Sequence, residues 1–554
     1  MAAVRKSGAK LITVDPRYTE TAKVSDVWLQ IRPATDTALA LAWLHVIIEE
    51  ELYDKDFIEK YTLGFDKVVD QVKDFTPEKA ADITWIPADK IVESARLYAS
   101  SKPATILTRG IGPDQIGRNM LHSGLAMCIL RAITGNLDIP GGEILAPANR
   151  RQLNGIVLDE EMALNDELPV EQRDKQIGSD RFRLLALPGY ELIRKYTDGH
   201  PYSYQLPINW GATAHWPTVA RAILTGKPYP VRTIICQATN LLLWLSNSRL
   251  VYEALKALDL LVVQEVFMTP TAMLADYVLP TTDWMERPFL KAHSLGNVFC
   301  GGERALRPEA ERQDDYQLWR GLGIRLGQRK YWWDTLEEVY SYRVKPAGYQ
   351  SYEEFIAKQR VIVTKQEHGK HQKYPFATPS GKVELYSTML EQLGYEPLPR
   401  YEEPAESPVS TPELAKEYPL ILITGGKVRH LYHSQYRQIH SARSKHPDPL
   451  VQINPDTAKE YGITDGDWVN IETPIYGVRQ RARLDNGIHP QVIHAEHGWW
   501  FPEDPAPEPS LYGVWKSNIN AVLDDNPDKC DPACGSWPCR GVLCKISKYN
   551  LQER

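Results

Sequence analysis

Two aspartates near the start of the chain are placed where they could bind a nucleotide base. Asp15 closes the apolar run 9–14, and Asp36 opens a long apolar helix. A carboxylate can accept hydrogen bonds from the N1–H and the exocyclic amino group of one guanine. Both residues also have simpler uses, because Asp15 precedes Pro16 and suits a turn, whereas Asp36 suits a helix N-terminus. Spacing alone leaves both interpretations open.

A second set of polar residues follows the apolar runs of the region 231–280. Asn240 comes after the run 232–237, and Gln264 and Glu265 end the next run. Ligands of open α/β sheets bind where strands end and helices begin. The sequence therefore predicts two nucleotide sites, one for each group of strands.

A glycine pair and a lysine follow the predicted strand 420–424. The amides of Gly425 and Gly426 are unhindered and can face an anion, and Lys427 adds positive charge. His430 and His433 follow three residues apart. Two histidines without further ligands donate hydrogen bonds more often than they bind a metal, so we expect a binding loop rather than a metal centre.

Four of the seven cysteines lie close together near the end of the sequence. Their spacing lacks the CxxC pair that zinc and iron–sulfur sites commonly contain. Buried or free thiols are therefore favoured, with a metal or cluster as the alternative. The other three are scattered, which excludes a disulfide scaffold and fits a reducing compartment. The clustered residues are Cys530, Cys534, Cys539 and Cys544.

Alternating strands and helices must position these residues. A strand at 105–108, a helix at 117–132 and a helix at 249–258 join the runs already described, a pattern typical of parallel, doubly wound sheets. No internal repeat is evident. Beyond residue 416 short strands and turns predict a β-barrel, with a strand at 468–472 and a helix that starts at Pro455 and ends before Gly462.

Composition narrows the class of protein. A chain of 554 residues predicts roughly three to four domains. Its net charge is -7 with both signs interspersed, which disfavours nucleic-acid binding. No run of about 18 apolar residues predicts membrane insertion. The first ten residues lack a signal-peptide core, so we expect a cytoplasmic rather than a periplasmic protein, with an upstream signal as the alternative.

Six segments, in this order, resemble landmarks of the DMSO reductase family of molybdenum and tungsten enzymes. Each segment is weak evidence alone, but their order makes the combination specific. The regions 151–230 and 304–373 match poorly. The segments are VDPRYTETAKVSD (14–26), RPATDTALALAW (32–43), GNLDIPGG (135–142), VVQEVFMTPTAMLADYVLP (262–280), TPSGKVELY (378–386) and INPDTAKEYGITDGDWV (453–469).

The resemblance implies an α/β fold with two pseudo-symmetric, doubly wound Rossmann-like domains and a C-terminal double-psi β-barrel. The expected boundaries are 1–148 for the first domain, incomplete at its N-terminus, 149–400 for the second, 401–415 for an exposed linker and 416–554 for the barrel. Each α/β domain would hold the guanosine end of one molybdopterin guanine dinucleotide. Two such dinucleotides would bind molybdenum or tungsten through their dithiolene sulfurs.

Family motifs also imply which residues contact this cofactor. Glu265 departs from the aspartate more usual at its position, which puts its guanine contact in doubt. The first dinucleotide would contact Asp15, Asp36, Gly110 and Gly112. The second would contact Asn240, Gln264, Glu265, Thr269 and Asp276. The barrel would contribute Gly425, Gly426, Lys427, His430, His433, Ser434, His497, Asn518 and Asn520.

The family's usual N-terminal segment, with four cysteines for a [4Fe-4S] cluster and a side chain that ligates the metal, has no match here. The resemblance therefore implies that the cluster and the ligand lie on an upstream segment or a partner. No catalytic residue or protein metal ligand is assigned within this chain.

Three functions remain open. The first is the catalytic-subunit portion of an oxidoreductase that acts on a small substrate with an iron–sulfur electron-transfer partner. The second is a non-redox hydratase of the same family, as in acetylene hydratase, which the stretch HGWWFPEDP (497–505) keeps in view. The third is a catalytically silent cofactor-binding subunit.

Overall fold

The computed structural model describes residues 6–107, 112–145, 152–153, 155–157, 162, 164, 167–201, 213–292 and 298–550. Within these ranges the chain forms two α/β regions and one closed β-barrel, which confirms the predicted fold class. No helix of the described chain is long and apolar enough to span a bilayer.

The first α/β region is built around one buried helix. Asp36–Glu49 is apolar on almost every face because four later helices pack around it. The strands are β1 (Ile12–Val14), β2 (Val27–Leu29) and β3 (Thr62–Leu63); the helices are α1 (Asp36–Glu49), α2 (Lys55–Tyr61), α3 (Phe65–Val72), α4 (Pro77–Thr84), α5 (Ala88–Ser100) and α6 (Met120–Ile133).

The parallel sheet of this region has only two described strands. Strand β1 pairs with β2, with Ile12 opposite Val27. A strand was expected at 105–108, but the described residues 105–107 do not form a strand. The amide of Ile106 instead donates to the carboxylate of Glu143 at 2.9 Å, so a side chain takes the place of a neighbouring strand.

The second α/β region has a three-stranded parallel sheet in the order β6-β7-β8 and a three-stranded antiparallel sheet in the order β9-β10-β11. Its strands are β4 (Gln152–Leu153), β5 (Ile156–Val157), β6 (Thr233–Gln237), β7 (Leu260–Glu265), β8 (Tyr277–Pro280), β9 (Phe289–Ala292), β10 (Val298–Gly302) and β11 (Val361–Val363). Its helices are α7 (Val170–Arg173), α8 (Leu187–Thr197), α9 (Trp216–Thr225), α10 (Leu241–Trp244), α11 (Ser248–Lys256), α12 (Asp315–Arg325), α13 (Leu336–Val344) and α14 (Tyr352–Lys358).

The two parallel sheets contain an internal repeat that inspection of the sequence did not reveal. The Asp26 carboxylate accepts from the amide of Leu11 at 2.8 Å, and the Asp276 carboxylate accepts from the amide of Leu261 at 2.7 Å. A 3₁₀ turn precedes each aspartate, at Ala22–Val24 and Ala272–Leu274. Equivalent residues differ by a constant offset in number, so Asp15 corresponds to Glu265 and Thr19 to Thr269.

The segment after the second region returns to the first one. Strand β12 (Val383–Glu384) pairs in parallel with β3, and α15 (Thr388–Leu393) follows it. Phe376 and Leu385 lie in the core around α1, so these residues pack with the first region although the expected boundaries place them in the second. The expected linker is also anchored, because the Glu403 carboxylate pairs with the buried guanidinium of Arg32 at 2.7 Å.

The C-terminal region is a closed six-stranded barrel in the order β13-β17-β14-β16-β15-β18. Asn454 caps α18 and Pro455 is its first residue, as the sequence predicted. The strands are β13 (Leu420–Thr424), β14 (Leu450–Ile453), β15 (Trp468–Glu472), β16 (Gly477–Leu484), β17 (Val492–Ala495) and β18 (Arg540–Lys548). The helices are α16 (Pro412–Glu417), α17 (His440–Arg443), α18 (Pro455–Glu460) and α19 (Val514–Ser517).

Candidate functional site

Asp15 lies at the carboxyl end of β1, where its side chain meets an arginine. The amide of Arg17 donates to Asp15 Oδ1 at 2.9 Å, and the Arg17 Nε atom lies 3.7 Å from the same oxygen. Burial raises the pKa of the Asp15 carboxyl, and the positive charges of Arg17 and Arg540 oppose this shift. The carboxylate is thus held at a strand end with cationic neighbours.

Asp36 is the first residue of α1, and it shares one of those neighbours. Burial raises its carboxyl pKa, the charge of Arg540 lowers it, and the charge of Asp15 raises it further. Arg540 begins β18 of the barrel. The structure therefore brings both predicted guanosine-binding aspartates next to one barrel arginine.

The barrel reaches this position because glycine allows a close approach. A Cβ atom at Gly541 would lie only 2.8 Å from the Cβ of Ala34, just before α1. Gly426 also allows a close approach, since a Cβ there would lie 3.3 Å from Arg17 Nη1 of the first region and 2.4 Å from His494 Nε2 of the barrel itself. Arg17 also donates to Gln452 Oε1 of β14 at 3.1 Å, which fixes the guanidinium between the two regions.

His494 lies on β17 and faces this junction. Both of its ring nitrogens are buried, and neither has a hydrogen-bond partner in the described part of the protein. Burial lowers the pKa of His494 well below its ordinary value, and the charges of Arg17, Arg540 and His497 lower it further. A neutral imidazole with unused donor and acceptor atoms can bind a polar ligand.

His433 and His497 form a pair beside His494. His433 Nδ1 lies 2.8 Å from His497 Nε2, while His497 Nδ1 is buried without a partner among the described residues. Burial lowers the pKa of His497 to about 4, and the charges of His433, Arg437 and Arg540 act in the same direction. Both rings are therefore neutral near pH 7, as expected for hydrogen bonding and not for an ion pair.

Arg437 lies beside the histidine pair and adds a positive charge there. Its guanidinium stacks on the buried ring of Trp499 at 4.3 Å and donates to the His497 carbonyl at 3.2 Å. Its Nε and Nη1 atoms are buried without partners in the described structure, and burial lowers its pKa to about 9. Leaving such donors unpaired costs free energy, so they indicate a bound anion or acceptor.

The carboxyl end of β7 carries different functional groups from the end of β1. Asn240 Oδ1 accepts from the Thr271 hydroxyl at 2.6 Å, but its Nδ2 is buried without a partner in the described chain, as is Gln264 Oε1. Burial raises the pKa of Glu265, and only the backbone amides of Val266 and Phe267 oppose this shift. Unused amide atoms and a carboxyl group therefore meet at this end, and no arginine of the described chain is among the groups that shift the pKa of Glu265.

Thr269 and Asp276 support the frame of that sheet. Thr269 Oγ1 accepts from the Ala272 amide at 3.3 Å and starts the 3₁₀ turn. Asp276 lies at the start of β8, where it bonds Leu261 near the amino end of β7. The structure therefore places Asp276 away from the strand end that carries Glu265.

Asn518 and Asn520 join the barrel to the second region. Asn518 Nδ2 donates to the Leu242 carbonyl at 3.1 Å, and Asn520 Nδ2 donates to the carbonyls of Leu243 and Trp244 at 2.8 Å. Their amides hold α10, which directly follows Asn240.

The other predicted residues of the described chain lie in loops. Gly110 falls outside the described residues. Gly112 precedes the 3₁₀ helix Pro113–Gln115, whose last carbonyl accepts from the Cys539 amide beside Arg540. Gly425 follows β13. Lys427 and His430 are exposed, and the Ser434 carbonyl accepts from Trp500 Nε1 at 2.9 Å.

The two tryptophans of the stretch HGWWFPEDP (497–505) contact other protein side chains in the interior. Trp499 and Trp500 are fully buried, and Trp499 Nε1 donates to the Glu496 carboxylate at 3.0 Å. Both tryptophans therefore pack in the interior, whereas His497 of the same stretch lies beside His433 at the junction.

The clustered cysteines do not converge on one point. Cys539 Sγ lies 3.7 Å from the Ser246 hydroxyl, whereas Cys534 Sγ lies 3.2 Å from the Asp531 carboxylate. Within the described residues, no group of three or more His, Cys, Asp or Glu side chains could hold a metal ion. All seven cysteines are free thiols.

Four residues at the junction between the barrel and the first region were not predicted from the sequence. Arg17 lies inside a matched segment, but nothing distinguished it from an ordinary surface arginine. The others are separated from it by more than four hundred positions, and an alignment of relatives is the signal that could have found them. They are Arg437, His494 and Arg540.

Comparisons with known proteins agree with this geometry. Residues 1–325 match the model of the molybdopterin oxidoreductase family, and residues 420–540 match the molydopterin dinucleotide binding domain. The chain belongs to the molybdopterin oxidoreductase family. The predicted membership of the DMSO reductase family is thereby confirmed, and the unpaired groups at the junction fit a molybdopterin dinucleotide.

Three relatives illustrate the breadth of this family. The acetylene hydratase of Syntrophotalea acetylenica is 36% identical over 553 residues, which are 99% of this chain and 74% of the relative. The structure of acetylene hydratase from Pelobacter acetylenicus has a TM-score of 0.92 and 34% identity, over 99% of this chain and 75% of that one. The thiosulfate reductase subunit PhsA of Salmonella typhimurium is 27% identical over 547 residues, which are 93% of this chain and 68% of the relative.

Proposed function

We propose that this chain is the catalytic-subunit portion of a molybdenum- or tungsten-dependent oxidoreductase that carries bis(molybdopterin guanine dinucleotide). One observation carries the proposal: where the barrel covers the end of β1, five side chains have buried nitrogen atoms without a hydrogen-bond partner among the described residues. A dinucleotide with two phosphates and a polar pterin would satisfy them. They belong to Arg17, Arg437, His494, His497 and Arg540.

The geometry supports different roles at the two strand ends. Asp15 and Asp36 would accept from the guanine of the first dinucleotide, with the charge of Arg540 opposing the rise that burial causes in the pKa of both carboxyls. Asn240, Gln264 and Glu265 would contact the guanosine of the second. The side chain of Glu265 is longer than that of the family's usual aspartate. Its carboxylate would therefore contact the guanine only if the base shifts or the Glu265 side chain folds back.

The neutral histidines serve a different purpose from the arginines. His494 and His497 would donate hydrogen bonds to pterin or phosphate oxygens without adding charge, because burial keeps both rings neutral. Arg17, Arg437 and Arg540 would balance the phosphate charges. When bound, the cofactor's metal exchanges electron pairs, oxygen or hydride with a small substrate. The protein holds the cofactor and shields it from water.

The proposal also includes an iron–sulfur redox partner and a cytoplasmic location. A [4Fe-4S] cluster and the metal-ligating side chain would come from an upstream segment or an iron–sulfur electron-transfer partner, which the dispersed cysteines of the described chain support. The relationship to a thiosulfate reductase subunit supports a small substrate and a multi-subunit redox enzyme. Seven free thiols support a cytoplasmic location.

A non-redox hydratase is the second candidate. Identity to the acetylene hydratase of Syntrophotalea acetylenica is 36%, against 27% for the thiosulfate reductase subunit. An assay of the purified protein separates the two candidates, since hydration of acetylene yields acetaldehyde without net electron transfer. A redox enzyme would instead reduce or oxidise a viologen dye in the presence of its substrate.

Elemental analysis of the anaerobically purified protein, co-expressed with its neighbouring genes, tests the shared part of the proposal. We expect molybdenum or tungsten together with about two GMP released per metal atom, because each guanosine site binds one dinucleotide. A protein that contains neither metal nor GMP under these conditions contradicts both candidates.

A further inference from the structure

The outer face of the barrel carries a cavity that the proposed function does not use. It lies between β15, β16 and α19, and its volume of about 590 Å³ is within the range of small-molecule sites. Tyr549 lines the cavity and directly follows β18, whereas Arg540 at the junction begins that strand. At about 3.3 Å per residue, roughly 30 Å of extended chain separates the two places. The cavity is therefore distinct from the junction.

The floor of the cavity is the outward side of β15 and β16. Asn470 lies opposite Arg479, and Glu472 lies opposite Gly477. The residues that alternate with them are buried in the barrel, so these four residues face outward. Gly477 has no side chain, and a Cβ atom there would lie 3.1 Å from Glu472 Cγ. The glycine therefore leaves space that a larger residue would fill.

Three aromatic side chains line the cavity. Tyr476, Trp515 and Tyr549 are each half-buried, so packing holds them while part of each ring stays accessible. A flat ring of a ligand can pack on such side chains in offset or edge-on contacts. The walls therefore favour a ligand with an aromatic ring.

Two arginines beside these rings lack an acidic partner. The Arg479 guanidinium lies 4.4 Å from the centre of the Tyr549 ring, and the Arg249 guanidinium lies 4.3 Å from that of Tyr476. Arg249 also donates to the Tyr476 hydroxyl at 2.8 Å. Within the described chain, no carboxylate pairs with either guanidinium. Packing on a ring holds this planar group, and its N–H groups remain able to bind a carboxylate or phosphate.

The other charged groups at the cavity have partners of opposite sign. Lys516 Nζ lies 2.6 Å from Asp504 Oδ2, and Lys545 Nζ lies 3.7 Å from Glu472 Oε2. These charges offset one another, whereas those of the two arginines are not offset. The cavity therefore has an excess of positive charge, although the net charge of the chain is -7.

We propose that this cavity binds a small organic anion with a flat aromatic ring. The ring packs against Tyr476, Trp515 and Tyr549, and the anionic group accepts hydrogen bonds from Arg479. Arg249 adds positive charge behind the ring of Tyr476. A nucleoside phosphate and an aromatic carboxylate share this chemistry. The site is independent of the proposed function, because no group of the junction takes part in it.

Isothermal titration calorimetry of the full chain tests the proposal, with AMP and indole-3-acetate as probes. We expect at least one of them to bind with a dissociation constant below about 1 mM. Inorganic phosphate and acetate lack the ring and should bind at least about tenfold more weakly than AMP and indole-3-acetate respectively.

The two probes also distinguish the sources of the anion. Binding of AMP alone identifies a nucleoside phosphate as the ligand class, and binding of indole-3-acetate alone identifies an aromatic carboxylate. Binding of both supports recognition of the ring and the anionic group only. Absence of binding by both probes overturns the proposal, as does equally tight binding of the anions that lack a ring.

A pair of substitutions on β16 locates the binding site. Arg479→Met keeps the aliphatic packing but removes the charge, so it should weaken binding of the probe by about tenfold or more. Arg483→Met is the matched control, because Arg483 is exposed on the same face of β16 and lies outside the cavity. Unchanged binding by Arg479→Met, or an equal loss in both variants, overturns the proposal.

A third substitution tests the shape of the cavity without changing its charge. Gly477→Leu fills the floor and should also weaken binding of the probe by about tenfold or more. Unchanged binding by this variant, with native circular dichroism, contradicts a ligand seated on the floor. Arg479→Met decides the proposal even where Gly477→Leu does not fold.

Discussion

The carboxyl ends of β1 and β7 are equivalent in the internal repeat, yet their electrostatic surroundings differ. At the first, Arg17 and Arg540 act on the carboxyl of Asp15. At the second, burial raises the pKa of Glu265 and only backbone amides oppose it. The difference arises because Arg17 of the first region and Arg540 of the barrel both act on the first end. Beside the second end, the barrel contributes the neutral amides of Asn518 and Asn520, which bond carbonyls of α10.

The backbone frame of the two strand ends, a turn held by an aspartate, is the same, whereas the charges around the ends differ. Asp26 and Asp276 build the same turn in both regions, with the same two backbone bonds to Leu11 and Leu261. The frame is local in sequence and is therefore repeated. The charge does not follow this repeat, because Arg540 comes from the barrel and the counterpart of Arg17 is Phe267.

Replacing the barrel arginine should produce the largest change. Arg540→Met removes the cation shared by Asp15 and Asp36, and we expect the affinity of the cofactor-free protein for GDP at the first end to fall about a hundredfold. This corresponds to the loss of a hydrogen bond to a charged group, about 1.5–3 kcal/mol. Isothermal titration calorimetry should show the second site unchanged.

Lys545→Met on the same strand is the matched control, because Lys545 pairs with Glu417 and Glu472 away from the junction. Equal weakening at both ends by Arg540→Met, or an effect of the control as large as that of Arg540→Met, contradicts the assignment of Arg540 to the first end.

The frame itself should respond equally in both regions. Asp26→Ala and Asp276→Ala each remove a carboxylate that accepts a backbone amide, which should lower the free energy of unfolding of the affected region by about 2 kcal/mol. Urea titration followed by hydrogen exchange assigns the loss to its region. Asn at either position, which keeps one acceptor oxygen, should restore part of the stability. A large loss at one position only would break the proposed equivalence.

The smallest expected effect is on the pH dependence of the free energy of unfolding, through His497 at the first end. Burial lowers the pKa of His497 to about 4, below its ordinary value near 6.5, so the unfolded chain binds more protons between these values. Its contribution to stability is therefore present above pH 6.5 and is lost as the pH falls towards 4. His497→Gln should reduce the loss of unfolding free energy between pH 7 and 5.5 by about 1 kcal/mol.

Thermal unfolding at several pH values measures this difference, with the exposed His430→Gln as the control variant. The same dependence on pH in the His497→Gln variant and in the original chain would show that the neutral state of His497 contributes nothing to stability.

Local patterns predicted much of the fold. Helix α1 begins at Asp36, β15 spans Trp468–Glu472, and the capped helix after Asn454 follows the expected sequence signals. The strand expected at 105–108 was wrong in its described part, because a strand also needs a neighbour and Glu143 bonds its backbone instead. The expected boundary near residue 400 differs from the packing, since apolar pattern does not show which core a segment joins.

The candidate site divides in the same way. Strand ends, helix starts and family motifs predicted Asp15, Asp36 and the region around Glu265 as binding residues from the sequence. Apolar periodicity and capping act over a few residues, so the sequence by itself determined these elements. The tertiary structure alone decided that Arg540 and His494 meet Arg17, because this contact depends on barrel closure and on the approach permitted by Gly426 and Gly541. Charge and desolvation depend on distance in space, which the order of residues does not contain.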